Sequence, residues 1–314
     1  MKNILIVGAG RTGRGMLGEM SFSDGWHITF CDRNKDLCEG LKKQGYYTVC
    51  QTNIKSGVNK ETYVKDFDVI DVRNEYDKYI ETIAKSKYIL TAIMPDGFEE
   101  EVKALVDAYH FRKQNNINDV LFFTIGANLV GLRQEYEKLA KKYFNDGESF
   151  EDNNMHMIMT VVNRKNLLPD NIQELEDKYR VIGDDKPVLR IDDNELLMAQ
   201  EDYPKYFHFE HNLDGEMAIK LWTGNVVQCS MAFVAINKGI KFTNEASRDF
   251  ESSMIAYYAS KEAYNAVKQE YDLKDRSEED TRYTVLLFRN NEFQDSIYRI
   301  LREPIRKLKR NDRI

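Results

Sequence analysis

Between Asn3 and Asp32 the sequence sets out an apolar run, a glycine-rich turn, a helix and a second strand ending in an acid, and few folds accept that order. Ile4-Leu5-Ile6-Val7 has no polar residue inside it, the pattern of a strand buried on both faces of a parallel sheet. Gly8-Ala9-Gly10-Arg11-Thr12-Gly13 follows at once. In such a turn the first glycine permits the tight bend, the second lets backbone N–H groups approach a pyrophosphate, and the third lets the opening helix pack on the strand. Trp26 to Cys31 reads as the second strand, and Asp32 stands where a carboxylate meets an adenosine ribose. Gly8, Gly10, Arg11, Thr12, Gly13, Asp32 and Arg33 are therefore the expected cofactor-binding residues. Asp32 repels a 2′-phosphate and so favours NAD over NADP. Arg33 either softens that choice by pairing a phosphate or is a solvated loop charge.

The 314 residues, 42% of them hydrophobic, suffice for two domains with their own cores. A net charge of −7 argues against a nucleic-acid partner, which needs a basic face. No apolar run approaches a membrane span and the N-terminus enters a strand without signal-peptide features, so the expectation is a cytoplasmic protein with no membrane partner. Cys31, Cys38, Cys50 and Cys229 form no CxxC pair, which suggests neither a disulfide framework nor a zinc site.

Strand and helix patterns alternate after Asp32. Leu37, Cys38 and Leu41 recur at helical spacing and Gly45 closes that helix; Tyr46 to Cys50, Phe67 to Val72, Tyr88 to Ile93 and Val120 to Ile125 read as strands. Tyr76 to Ala84, Phe98 to Tyr109 and the segment reaching Phe144 read as helices. The rhythm predicts an α/β, Rossmann-type doubly wound parallel sheet with its ligand at the carboxyl ends of the strands. Met155 to Val162 and Val188 to Ile191 extend it as further strands. Beyond Tyr203-Pro204 the pattern is helical, with long segments over Glu216 to Lys238, Asn244 to Tyr271 and Glu278 to Leu308. The expected division is an NAD-binding domain over 1–200 and a mainly α-helical substrate domain over 201–314.

In the helical half, Lys220-Leu221-Trp222-Thr223-Gly224-Asn225-Val226-Val227-Gln228 places three polar side chains on an apolar helix. At about 100° per residue they fall within an arc of roughly 140° and can face one cavity. A lysine amine desolvated in a cleft can act as a base, and an asparagine beside it can orient a hydroxyl. The same spacing is equally that of a surface lysine and a helix-capping asparagine.

Gly8-Ala9-Gly10 to Gly15, the Lys220/Asn225 helix and Arg302-Glu303-Pro304-Ile305-Arg306-Lys307-Leu308 together resemble the polyol-specific long-chain dehydrogenases, nearest their mannitol-1-phosphate 5-dehydrogenase branch. The resemblance implies a Rossmann domain followed by a helical domain, interconversion of a polyol or polyol phosphate and a ketose with NAD, no catalytic metal, a lysine general base at Lys220 and a substrate-holding asparagine at Asn225. Asn128 is implied as a second substrate contact. Gln228 stands where the family carries a histidine, Ala127 where it carries a glutamate, Asn163 in Val162-Asn163-Arg164 where it carries an aspartate, and Leu287 beside Phe288 and Asn290 where it carries an arginine. Relatives continue beyond the point where this sequence stops. These departures leave open a dinucleotide-binding regulatory or sensor protein without turnover, and a dehydrogenase of another hydroxy acid or sugar acid. His208, Glu210 and His211 have a spacing that can hold a metal but is more often polar surface. Arg302, Arg306, Lys307, Lys309, Arg310 and Arg313 either anchor a substrate phosphate or form a solvated helix end.

Overall fold

The computed structural model describes residues 2–53, 59–126, 128, 131–169, 171–273, 285–286, 288–289, 291 and 294–302. Its main sheet runs β12-β11-β8-β7-β6-β1-β2-β5. The strands are β1 (Asn3–Val7), β2 (His27–Asp32), β5 (Asp68–Asp71), β6 (Tyr88–Thr91), β7 (Leu121–Ile125), β8 (Met155–Asn163), β11 (Val188–Asp192) and β12 (Phe207–Glu210). The six strands from β5 to β8 are parallel. Counted in chain order they lie 3-2-1-4-5-6 across the sheet, the doubly wound order whose direction reverses between β1 and β6. β11 then pairs antiparallel with β8, and β12 parallel with β11, so the sheet is mixed.

β1 shows why this order follows from the sequence. Ile4 and Ile6 join the core on one face, with Met16, Leu17 and Phe30; Leu5 and Val7 join the core on the other, with Ile89, Val102 and Phe123. Such a four-residue run, all buried, stabilises by roughly 1.5–3 kcal/mol per side chain and has no face to offer water. Helices α3 (Tyr76–Lys85), α4 (Phe98–Gln114) and α5 (Leu132–Ala140) cover the second face. Helix α2 (Lys35–Gln44) is capped by Asn34, whose side chain accepts from the Leu37 amide at 3.1 Å, and is closed as expected by Gly45 at φ 71°.

Several elements differ from the sequence reading. Tyr46–Thr52 (β3) is not in the main sheet: it forms a hairpin with β4 (Asn59–Lys65) in a second sheet of order β4-β3-β10-β9, which includes β9 (Asn166–Leu167) and β10 (Val181–Asp184). Only residues 53–58 separate the two hairpin strands, and parallel pairing needs a crossover of a dozen or more. β12 extends the sheet past Tyr203, and the second compact unit starts at Asn212 rather than near 200. Helix α5 stops at Ala140, short of Phe144.

The second unit contains α6 (Leu213–Ile219), α7 (Asn225–Asn237), α8 (Thr243–Ala246) and α9 (Phe250–Tyr271). The segment expected as one helix from Asn244 is broken after Ala246, because Asp249 turns extended and restarts α9 by accepting from the Ser252 amide at 2.9 Å. Within Glu278 to Leu308, the described residues are not one helix either: Asp295 and Ile297 bond the Lys241–Thr243 backbone before a single turn at Ile297–Ile300. By length and composition Leu213–Asn237 can cross a membrane, contrary to the sequence reading, but it carries Asp214, Glu216 and Lys220 and its α7 portion supplies Val227, Met231 and Ala235 to this unit's own core.

Candidate functional site

The glycine turn sits at the carboxyl end of β1, and two of its glycines are required by different neighbours. Gly8 takes φ +94° while its amide donates to the Cys31 carbonyl at 2.7 Å; a Cβ there would collide with the Ala92 carbonyl. A Cβ on Gly13 would fall on the Gly8 carbonyl oxygen, so helix and strand can approach only through glycine. Gly10 is different: a Cβ there would meet no protein atom within 4 Å. Packing does not ask for glycine at this position, which is the cradle a close-approaching pyrophosphate requires. Arg11 is exposed and Thr12 half-buried at the start of the helix. That helix opens with a π-helical turn, Gly13–Gly18, before continuing as α1 (Glu19–Ser23).

Two buried arginines brace this turn, and sequence reasoning did not assign either of them that task. The Arg14 guanidinium donates to the Ala9 carbonyl and, at 3.3 Å, to Tyr179; burial lowers its pKa from the ordinary arginine value, with Tyr47 and Asp177 opposing. Arg164, the last residue of the Val162-Asn163-Arg164 stretch, donates to the Gly15 carbonyl at 2.6 Å, the Asp184 carbonyl at 2.8 Å and the Glu19 carboxylate at 3.2 Å. It ties the end of β8 to the π-helical turn.

Asp32 ends β2 with both carboxylate oxygens holding backbone: Oδ2 accepts from the Ala9 amide at 2.7 Å and Oδ1 from Asn34 at 2.8 Å. Each oxygen keeps a lone pair for a ribose hydroxyl. Beside it opens a cavity of about 430 Å³, within the ~300–1,000 Å³ of typical ligand sites. Gly8, Gly10 and Asp32 form one wall; Val72, Tyr76, Ile93 and Met94 are among the others. The apolar walls, absent from the sequence prediction, suit a planar base, and their one advance signal was Ile93-Met94-Pro95 after the strand at the sheet's point of reversal. Glu101 of α4 also lines the cavity and is buried; Thr91 donates to it at 2.6 Å and Tyr136 donates to its other oxygen. Burial, outweighing those two bonds, raises its pKa to about 7.

In the second unit, Lys220 to Gly224 is π-helical, not α-helical. The 100° spacing assumed from sequence fails here. A turn bonded i to i+5 takes between four and five residues, so Asn225 comes round closer to the face of Lys220 than in a regular helix. Two hydroxyls bond carbonyls of this segment: Thr223 donates to Ile219 at 2.6 Å, and the buried Ser260 of α9 donates to Thr223 at 3.4 Å. Lys220, Asn225 and Gln228 are all half-buried, and a Cβ on Gly224 would meet nothing within 4 Å.

Asn128 has a use that the sequence did not show. Its Nδ2 donates to the Val162 carbonyl at 2.8 Å and its Oδ1 accepts the Val162 amide at 3.0 Å, pinning the loop after β7 to β8. One N–H and one lone pair remain for a ligand. Ala127, Leu287, Asn290 and the basic run beyond Arg302 lie outside the described residues, while Phe288 is buried in the second unit's core. Glu210 pairs with Arg190 at 3.4 Å and His211 with Asp193 at 3.2 Å; among the described residues no three His, Cys, Asp or Glu side chains converge on a metal position.

Residues 2–164 match the family model described as the mannitol dehydrogenase Rossmann domain. The chain belongs to the mannitol dehydrogenase family. Membership makes it an oxidoreductase acting on a CH–OH group with a nicotinamide dinucleotide. It is similar to the mannitol-1-phosphate 5-dehydrogenase of Streptococcus pneumoniae strain CGSP14, 27% identical over all of this chain and 81% of that one. The protein of the same name from Thermoanaerobacter pseudethanolicus is 27% identical over 98% of this chain and 77% of its own length. Among solved structures, the Pseudomonas fluorescens mannitol 2-dehydrogenase complex with NAD and D-mannitol shares the fold at a TM-score of 0.75, with 13% identity, 95% of this chain and 71% of that one covered. A substrate-free D-sorbitol dehydrogenase shares it at 0.70, with 14% identity, covering 97% and 73%. In a family member the open space at Gly10 has a direct test: Gly10→Val should fold normally and lose dinucleotide binding at least a hundredfold, read by calorimetric titration beside a melting curve.

Proposed function

We propose that this protein moves hydride between the carbinol carbon of a polyol or polyol phosphate and NAD, giving the matching ketose, with Lys220 as general base. The observation that carries the reading is the open backbone at Gly10 beside Asp32 at the mouth of an apolar-walled cavity, in a chain of the mannitol dehydrogenase family. Asp32 supports NAD because its carboxylate accepts ribose hydroxyls and repels a 2′-phosphate. When bound, the nicotinamide ring supplies the hydride acceptor. The chain's residues do the rest. Lys220, as the neutral amine, takes the hydroxyl proton while the O–H electron pair becomes the carbonyl bond. Asn225 holds the reacting oxygen, the remaining N–H of Asn128 holds a neighbouring hydroxyl, and Gln228 adds a hydrogen bond without exchanging a proton.

The test is a panel of polyols, polyol phosphates and hydroxy acids assayed for NAD reduction. Turnover confined to polyols or their phosphates is expected. Turnover of hydroxy acids alone would move the substrate assignment, and tight NAD binding with no turnover of any of them would make the protein a dinucleotide sensor.

A further inference from the structure

The rim of the cavity carries two arginines and two carboxylates already joined to one another. Arg33, just past β2, reaches over to the segment after β6, where it donates to the Asp96 carboxylate and lies 3.7 Å from Glu100. Arg73, just past β5, donates to the other Glu100 oxygen at 2.9 Å. Arg33, Arg73 and Glu100 line the cavity itself. The bond to Asp96 raises the Arg33 pKa above the ordinary arginine value. The third cation of the wall, Lys103, is held by Asp107 at 3.0 Å. A guanidinium beside Asp32 is the group that accommodates a ribose 2′-phosphate, through a charge-assisted fork. Here two such groups are present, and each already pairs with a carboxylate.

We propose that Asp96 and Glu100 are specificity residues for NAD over NADP, acting by occupying Arg33 and Arg73 so that neither is free to pair a 2′-phosphate. Asp32 repels the phosphate directly; the two acids remove the groups that would offset that repulsion. The inference rests on reading this cavity as the adenosine end of the dinucleotide site. All four side chains are at least partly exposed, so the effect is screened by salt and each pair contributes modestly.

The experiment is calorimetric titration of NAD and NADP into the full chain and into Asp96→Asn/Glu100→Gln, whose isosteric amides keep the local shape. NADP should bind about tenfold more tightly to the variant, so that the NAD:NADP selectivity ratio falls about tenfold. That gain should shrink on raising ionic strength from low to high, and it should vanish when Arg33→Ala and Arg73→Ala are added. An unchanged ratio in a variant that binds dinucleotide overturns the inference alone. So does a gain that survives loss of both arginines, or a parallel weakening of both cofactors with the ratio fixed. Wild-type protein that binds neither NAD nor NADP overturns the reading of the cavity as well.

Discussion

Alanine in place of Lys220 should lower kcat/KM for alcohol oxidation by roughly 10²–10⁴, the contribution expected of the proposed base, and should leave NAD affinity in place. The proposal requires a neutral amine, so oxidation by the wild-type protein should rise with pH through one ionisation and then level off. Relatives with a histidine near the lysine have a second group that titrates. Gln228 is an amide and does not. Lys220→Arg should not restore the rate, because a guanidinium stays protonated throughout this range. Gln228→Ala should cost only about tenfold, as expected for one orienting hydrogen bond. The π-helical turn sharpens the comparison: removing the Ser260 hydroxyl, which donates to the Thr223 carbonyl, should impair turnover more than it impairs folding, since it supports the turn that carries Lys220. Wild-type rates in Lys220→Ala, or equal losses at Lys220 and Gln228, would contradict these roles.

Glu101→Gln should raise the stability of the protein at pH 8 and remove the loss of stability that this carboxyl causes as pH rises through about 7. The Glu101 carboxyl has a folded pKa of about 7 against an ordinary 4.5, the main cause being burial, with the Thr91 and Tyr136 hydroxyls opposing it. A carboxyl raised in the folded state favours folding when protonated. Its contribution is complete below the unfolded value and is lost as pH rises through the folded one, because the native state must then hold a buried charge. The difference corresponds to an order of about 3 kcal/mol. Glutamine mimics the neutral acid: it keeps one acceptor and one donor, and a hydroxyl can turn to accept. The melting temperature of the variant at pH 8 should exceed that of wild type by several degrees, and the two should converge near pH 5. A wild-type stability that is flat or rising across this window would remove Glu101 as the controlling group.

The glycine turn was legible because its constraints are local. A tight turn and a close helix each need glycine within a few positions of the strand, and Gly8 and Gly13 stand where those needs fall, with Asp32 closing β2. The cavity's other walls were not legible. Tyr76, Ile93 and Glu101 are ordinary members of amphipathic segments in the sequence, and only the order of the strands brings them beside Asp32. Arg14 and Arg164 show the same limit, since a buried arginine looks like any surface cation until the carbonyls it serves are placed around it. The strand pattern misled at Tyr46, where local propensity for strand was right but the short connection to Asn59 forced a hairpin outside the main sheet. At Lys220 the residues were visible but the geometry was not. A π-helical turn has no period that apolar spacing reveals, and here it is marked only by Thr223 and Gly224 within an apolar run. Asn128 was visible for the same reason that it misleads, as an exposed-looking amide whose backbone partner, Val162, is distant in sequence.

The most direct measurement supplies the protein with NAD and a polyol or polyol phosphate carrying deuterium on the carbinol carbon, and determines the mass of the NADH formed. The account predicts NADH heavier by one deuterium, formed together with the ketose and abolished in Gly10→Val. NADH without the label, or NAD bound and never reduced by any labelled polyol, would contradict it.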